Sequence, residues 1–361
     1  MDQIITLNNR LDSKYRAATT HIALMNACKG GSDSVIPQLI KDGADVNEAT
    51  NEGETALMTA CRYGHYQCAR QLIEAKADVN KTNGGGSTAL MLACQNGHDL
   101  CARQLIVAGG KVDETNHDGW TALMLACQNG HDQCARQLIV AKADFEKPNH
   151  MEWTPLMNAC RNNHYRIALQ LINAGANVNK TNKEEMTALM LACYHGSNSV
   201  ILGLITARAD VDQVDGEGFT ALMFACQEGH ASAALQLIEK KAHVNKTNKD
   251  GMTALMTACQ NGLDNVASVM IKKGADVDKA DHDGFTALMH ACRMGHGPCA
   301  RVMIEAKADV NEATNEETVL MTACRYGHYQ CARQLIEAKA DVNKTNGGGS
   351  TALMLACQNG H

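Results

Sequence analysis

Thr121-Ala122-Leu123-Met124-Leu125-Ala126-Cys127-Gln128-Asn129-Gly130-His131 is the stretch from which the architecture can be read. Ala122, Leu123, Ala126 and Cys127 fall at i, i+1, i+4 and i+5. On a period of 3.6 residues this makes one apolar stripe about 100° wide, the signature of a short amphipathic helix. Thr121 stands where a hydroxyl can accept an amide hydrogen of the first turn, and Gly130 supplies a left-handed stop. Cys134, Ala135, Leu138 and Ile139 repeat the stripe, so a second helix follows and a polar loop closes the unit.

Outward from this stretch, the phrase Thr-Ala-Leu-Met-x-Ala-Cys or a close variant begins at Thr55, Thr88, Thr121, Thr154, Thr187, Thr220, Thr253 and Thr286, each 33 residues after the last. An eroded copy begins at Ile22, and two more begin at Thr318 and Thr351, the step to Thr318 being 32. The predicted fold class is an all-α repeat solenoid of stacked helix-turn-helix units with hairpin-like loop tips. Asp118-Gly119, Asp250-Gly251 and Asp283-Gly284 mark such tips. Residues 1–21 read as an N-terminal lead-in and residues 22–361 as a single array whose last unit stops after its first helix. Helices this short are marginal alone in water, so their stability must come from stacking. A stack ending at His361 leaves an apolar face that arrays normally cover with a polar repeat, which predicts that the protein continues.

A 33-residue, two-helix unit bearing Thr-x-Leu-x-x-Ala, Gly-His and a terminal Asp-Val-Asn resembles the ankyrin repeat, and the likeness runs from about residue 22 to residue 361. The chain departs from that pattern in having Ala for Pro everywhere except Pro155, and Met for His at Met58, Met91, Met124 and the equivalent positions. Exchanging imidazole for a flexible thioether removes a family hydrogen bond, which predicts a softer and more oxidation-sensitive stack. The resemblance implies a protein-protein interaction scaffold that binds a protein or peptide partner on its concave surface, with no cofactor. A second reading makes the array the targeting or tethering part of a larger protein, such as a ubiquitin-ligase adaptor, a kinase or a channel, with its effector domain beyond residue 361.

The residue before the motif threonine is Glu54, Ser87, Trp120, Trp153, Met186, Phe219, Met252 and Phe285 in turn. Six successive units thus carry a large apolar side chain in a slot that, by the resemblance, lies on the loop finger beside the partner-holding groove. Trp120, Trp153, Met186, Phe219, Met252 and Phe285 are therefore the expected partner-binding residues, the alternative being that they cover the adjacent turn. The resemblance also implies that Asn80, after Leu72, Asp78 and Val79, can be hydroxylated by an asparaginyl hydroxylase.

With 33 Lys and Arg against 39 Asp and Glu, the net charge is -6 and no basic stripe is present, so no nucleic-acid partner is expected. No apolar stretch approaches 18 residues, and Met1 to Arg16 has neither a basic head nor an apolar middle, so neither membrane insertion nor secretion is expected. The expected location is cytoplasmic or nuclear. Eleven of the 16 cysteines fill the Ala-Cys slot and the other five open second helices. Equivalent residues of stacked helices stand about 8 to 10 Å apart, too far for a disulfide, so a reducing compartment suits them.

Cys-x3-His-x2-Cys, as at Cys61, His65 and Cys68, has the ligand types for zinc. Other units put Ile167, Val200 or Ala233 in the third place, so the expectation is packing and no metal. The acidic tips, Asp210 to Glu217 and Asp276 to Asp283, lack the spacing of a calcium loop. Gly84-Gly85-Gly86-Ser87 lacks the lysine of a phosphate loop. No serine or histidine is set apart from its counterparts as a nucleophile and base would be, so no catalytic residue, no enzyme activity and no small-molecule substrate are expected. Residues 44–98 recur almost word for word from Ala308 to His361, an offset of 264 or eight periods, which points to recent duplication or an assembly artefact.

Overall fold

The computed structural model describes residues 19–314 and 316–361, which fall into two compact units divided between Asn177 and Val178. In the first unit, residues 19–30 form α1. A 3-10 turn at Asp33–Val35 leads to α2 (Ile36–Lys41), and then come α3 (Ala56–Arg62), α4 (Tyr66–Glu74), α5 (Ala89–Gln95), α6 (Asp99–Val107), α7 (Ala122–Asn129), α8 (Asp132–Val140), α9 (Pro155–Arg161) and α10 (Tyr165–Asn173). The second unit holds α11 (Ala188–Tyr194), α12 (Asn198–Thr206), α13 (Ala221–Gln227), α14 (Ala231–Glu239), α15 (Ala254–Gln260), α16 (Asp264–Lys272), α17 (Ala287–Met294), α18 (Gly297–Glu305), α19 (Val319–Arg325), α20 (Tyr329–Glu337) and α21 (Ala352–Gln358). Within each unit, first helices stack on first helices and second helices on second helices, as in α3, α5 and α7 beside α4, α6 and α8. The helix at the start already includes residue 19, so Ile22, which has no side-chain oxygen, lies inside it and does not cap it.

Threonine caps and glycine stops form as the sequence predicts. The Thr121 hydroxyl accepts the Met124 amide at 3.2 Å, and Gly130 ends α7 at φ 77°. The buried face is wider than the stripe suggests, since every residue from Ala122 to Cys127 is buried. A helix covered by neighbours on two sides needs apolar side chains around most of its circumference, and α7 lies between α5 and α9.

The motif methionines correct another expectation. The Thr55 amide donates to the Met58 sulfur at 3.5 Å while the Met58 amide donates to the Thr55 hydroxyl at 3.3 Å. Met157, Met190, Met223, Met256 and Met321 do the same. The thioether thus stands in for the Glu or Gln of a reciprocal capping box, and a hydrogen bond to the cap is retained in sulfur form. Met58 to Met321 are buried, whereas Met151, Met294 and Met354 are exposed and meet an oxidant first.

Where a repeat carries Gly-His, the histidine fastens it to the repeat before it, Ser197 and Leu263 standing in that place in two units. In the first unit the ring Nε2 of His65, His98 and His131 donates to the carbonyl oxygens of Lys29, Arg62 and Gln95, each at 3.1 Å. Arg62 and Gln95 are the last residues of α3 and α5, whose carbonyls have no partner within the helix. In the second unit His230, His296 and His328 reach Tyr194, Gln260 and Arg293 in the same way. The loops are joined in parallel: Asn47 Oδ1 accepts the Asp78 amide at 2.7 Å, Asn80 Oδ1 accepts Lys111, and in the second unit Asn179 Oδ1 accepts Asp210. The asparagine that ends Asp-Val-Asn is therefore a connector between successive units.

Comparing equivalent cysteines misses the contacts they make. A first-helix cysteine meets the second-helix cysteine of the next repeat: Cys61 bonds Cys101, Cys94 bonds Cys134, Cys259 bonds Cys299 and Cys292 bonds Cys331. The thiol-thiol hydrogen bond, followed by burial, holds Cys61 well above the ordinary thiol range, and burial pushes Cys28 up to about 12. Thiols raised in this way are unreactive packing groups, whereas the hydrogen bonds from Cys61 and Cys292 lower Cys101 and Cys331.

In α21, Leu353 is 72% and Met354 57% exposed, whereas their counterparts Leu90 and Met91 in α5 are each 1% exposed. With stacked neighbours on one side only, α20 and α21 are expected to exchange amide hydrogens well before α13, α15 and α17. Equal protection through Cys357 in a hydrogen-exchange experiment would show that one-sided stacking is sufficient.

Candidate functional site

Most loop tips are organised by one asparagine or aspartate whose Oδ1 accepts the amide two residues on, the amide four residues on, or both, as in an Asx turn, while the Thr50 and Thr314 hydroxyls take that part in their tips. In the first unit Asn149 Oδ1 accepts Met151 N at 2.9 Å and Trp153 N at 3.0 Å, and Asn116 Oδ1 holds Trp120 N at 2.8 Å. In the second unit Asn182, Asp215, Asn248 and Asp281 hold Met186, Phe219, Met252 and Phe285. Isolated antiparallel bridges such as Thr82 with Thr88 and Thr247 with Thr253 close the tips, giving the hairpin-like form read from the sequence. The backbone beneath all six expected contact residues is fixed in this way.

Their side chains are half-buried. The slot side chain lies along its own first helix toward the residue eight positions on. Glu54 meets Arg62 at 2.9 Å and Glu317 meets Arg325 at 2.8 Å. Trp153 sits under the Arg161 guanidinium at 5.1 Å and Phe285 under Arg293 at 5.5 Å, cation-π distances. Phe219 stacks on Phe224 at 5.3 Å, and Tyr194 meets Phe224 edge-on at 5.8 Å. Each aromatic thus covers part of its turn and leaves the rest of its surface to solvent. Arg161, Arg293, Tyr194, Phe224 and His290 escaped the sequence reading, although each fills a variable position of the first helix.

His290 is a buried departure from its equivalents. Its Nε2 lies 3.0 Å from Asp281 Oδ2, and its ring is 5.6 Å from that of Phe285. Burial lowers its pKa, and the Asp281 contact opposes that shift without cancelling it. The neutral ring donates Nε2–H to the carboxylate. Because the folded pKa lies below the unfolded value near 6.5, the contribution to stability is fully present above about 6.5 and is lost as the pH falls from there toward the folded pKa. Thr257 and Thr322 occupy the equivalent position, so His290→Thr is expected to fold and to lose less melting temperature than wild type between pH 7.5 and 5.5. An identical loss in both proteins would remove His290 from the account.

The histidines of the Cys-x3-His-x2-Cys stretches spend Nε2 on backbone carbonyls, and among the described residues no three His, Cys, Asp or Glu groups converge as a metal site would require. The acidic tips turn inward: Asp215 Oδ1 accepts the amides of Glu217 and Phe219, and Asp276 Oδ1 accepts Asp278. Chelator treatment is expected to leave the helical circular dichroism and the melting midpoint unchanged, and stoichiometric zinc in tag-free protein would contradict the packing role of the cysteines.

Six overlapping stretches, residues 4–83, 24–113, 90–182, 156–248, 232–314 and 310–361, match the family model described as ankyrin repeats, three copies. The chain belongs to the ankyrin repeat family. The human ASB11 ankyrin repeat domain is a similar solved structure, with 28% sequence identity and a TM-score of 0.55 over 59% of this chain and 96% of that one. A search of curated proteins gave no match. Ankyrin repeats are in general protein-protein interaction modules and their fold is typically non-catalytic. Among the described residues no helix is long and apolar enough to cross a membrane.

Proposed function

We infer that this ankyrin array is an interaction scaffold that holds a protein or peptide partner against its loop tips, on the face that corresponds to the concave surface of the family. The observation that carries this reading is the run of Trp120, Trp153, Met186, Phe219, Met252 and Phe285, each on a backbone pinned by its own asparagine or aspartate and each half-open to solvent. Rigid aromatic anchors supply large contact area at low entropic cost, and a few of them dominate binding energy. The free thiols, most of them buried, suit a reducing compartment, the cytoplasm or the nucleus. Photo-crosslinking tests the assignment. A benzophenone side chain at position 120 or 153 should join the array to one recurrent protein, and the same group at the exposed position 239 of α14 should not. Equal labelling from both positions would overturn it.

A further inference from the structure

The second helices of the first unit carry a surface unlike that of their counterparts. α4 reads YQCARQLIE, α6 DLCARQLIV and α8 DQCARQLIV. In α4 the arginine is neutralised one turn on, with Arg70 Nε 3.0 Å from Glu74 Oε1, and α20 repeats the arrangement with Arg333 and Glu337 at 2.8 Å. In α6 and α8 the glutamate has become Val107 and Val140, which are 82% and 77% exposed. The same exchange deprives Arg103 and Arg136 of their acid, and among the described residues neither guanidinium is in an ion pair. Two substitutions of one kind thus add apolar surface and free two positive charges in one place.

The geometry makes this surface a groove. A hollow of about 480 Å³ between α4 and α6 is lined by Ile73, Leu100, Val107 and Arg103 together with the Arg70–Glu74 pair, and one of about 370 Å³ between α6 and α8 by Ile106, Val107, Val140, Arg103 and Arg136, with no carboxylate. Val107 and Arg103 belong to both, so the hollows adjoin across α6. All lining residues come from second helices and the residues that end them, and none is a loop-tip residue. The second unit supplies the internal comparison. Between α18 and α20 a hollow of about 490 Å³ is of similar volume, and Glu305 and Glu337 stand there beside Arg301 and Arg333. At the α4 side of the first place Glu74 likewise neutralises Arg70, so the lining that is apolar and cationic without a carboxylate is the one between α6 and α8.

We propose that the α4-α6-α8 groove is a second docking site, separate from the loop tips, for an acidic amphipathic helix. Leucine-like side chains of that helix sit over Leu100, Val107 and Val140, and Asp or Glu on its flanks pairs with Arg103 and Arg136. Nine-residue helices rise about 13 Å along their axis, so the groove takes a segment of two to three turns, read as anchors at i, i+3 and i+4. Charge complementarity selects the acid: two unpaired guanidiniums repel a basic helix and form charge-assisted hydrogen bonds with carboxylates.

A library of 14-residue helical peptides displayed on phage, selected on the full chain, tests this. The selected peptides are expected to combine Asp or Glu with Leu or Ile at helical spacing. They should lose at least tenfold in affinity against Val107→Glu and against Arg103→Glu/Arg136→Glu, and keep it against Trp120→Ala/Trp153→Ala. Val107→Glu is compatible with the fold, because Glu74 and Glu337 occupy the same position, and unchanged circular dichroism confirms this for each variant. Recovery of no peptide, of lysine-rich peptides, or of peptides indifferent to the groove variants overturns the proposal. So does self-association of the chain that Val107→Glu abolishes, since a second copy would then be the occupant. Peptides sensitive only to the tryptophan variants would leave the loop-tip reading standing and remove the groove.

Discussion

Gly64→Ala is expected to destabilise the first unit by about 2–3 kcal/mol. Gly64 has φ 78°, and a Cβ there would lie 2.5 Å from His98 Nδ1. A left-handed conformation costs a residue with a Cβ about 1–2 kcal/mol. The clash then pushes away the imidazole that holds the Arg62 carbonyl at 3.1 Å, a bond that contributes about 0.5–1.5 kcal/mol. For a unit of this size the first loss of helical signal should fall by roughly 4–12 °C, while the transition of the second unit stays in place. His98→Ala alone removes only the bond. Combined with Gly64→Ala it is expected to cost less than the sum, because the ring that collides is gone. Strict additivity in this double-mutant cycle would mean that glycine and histidine are not one device.

Much of the fold was legible because it rests on local rules. Threonine caps, glycine stops and the helical stripes repeat ten times over, and each needs only its neighbours along the chain. What escaped depends on the neighbouring repeat. Met124 and Leu125 are buried because α7 is covered on both sides, a fact that one helix cannot announce. Cys61 meets Cys101, forty positions away and at a non-equivalent place, so comparing like with like missed the contact. The thioether of Met58 was expected to leave a family hydrogen bond unmade, yet it folds back to accept one from the cap, because a long unbranched side chain reaches the threonine amide. The tip aromatics were placed correctly on hairpin-like tips. Their partial burial follows from the residue eight positions on, Arg161 for Trp153 and Arg293 for Phe285, a pairing visible only when both slots are compared across units.

Trp120→Ala and Trp153→Ala are expected to weaken partner binding by about 1–3 kcal/mol each, or roughly 5- to 150-fold. Both indoles are half-buried on backbones held by Asn116 and Asn149, so the anchors are pre-ordered before any partner arrives. Truncation leaves those amide bonds intact and opens no cavity between first and second helices. Trp153 alone gives up a contact with Arg161, worth about 0.5–1 kcal/mol at an exposed site. Affinity for the cross-linked partner and the melting midpoint, measured on the same two variant proteins, separate contact from packing. The loop-tip reading predicts at least a fivefold loss of affinity with a midpoint within about 4 °C of wild type. A drop in melting temperature well beyond that, with affinity intact in the folded fraction, would make the tryptophans turn-packing residues and place the binding surface elsewhere.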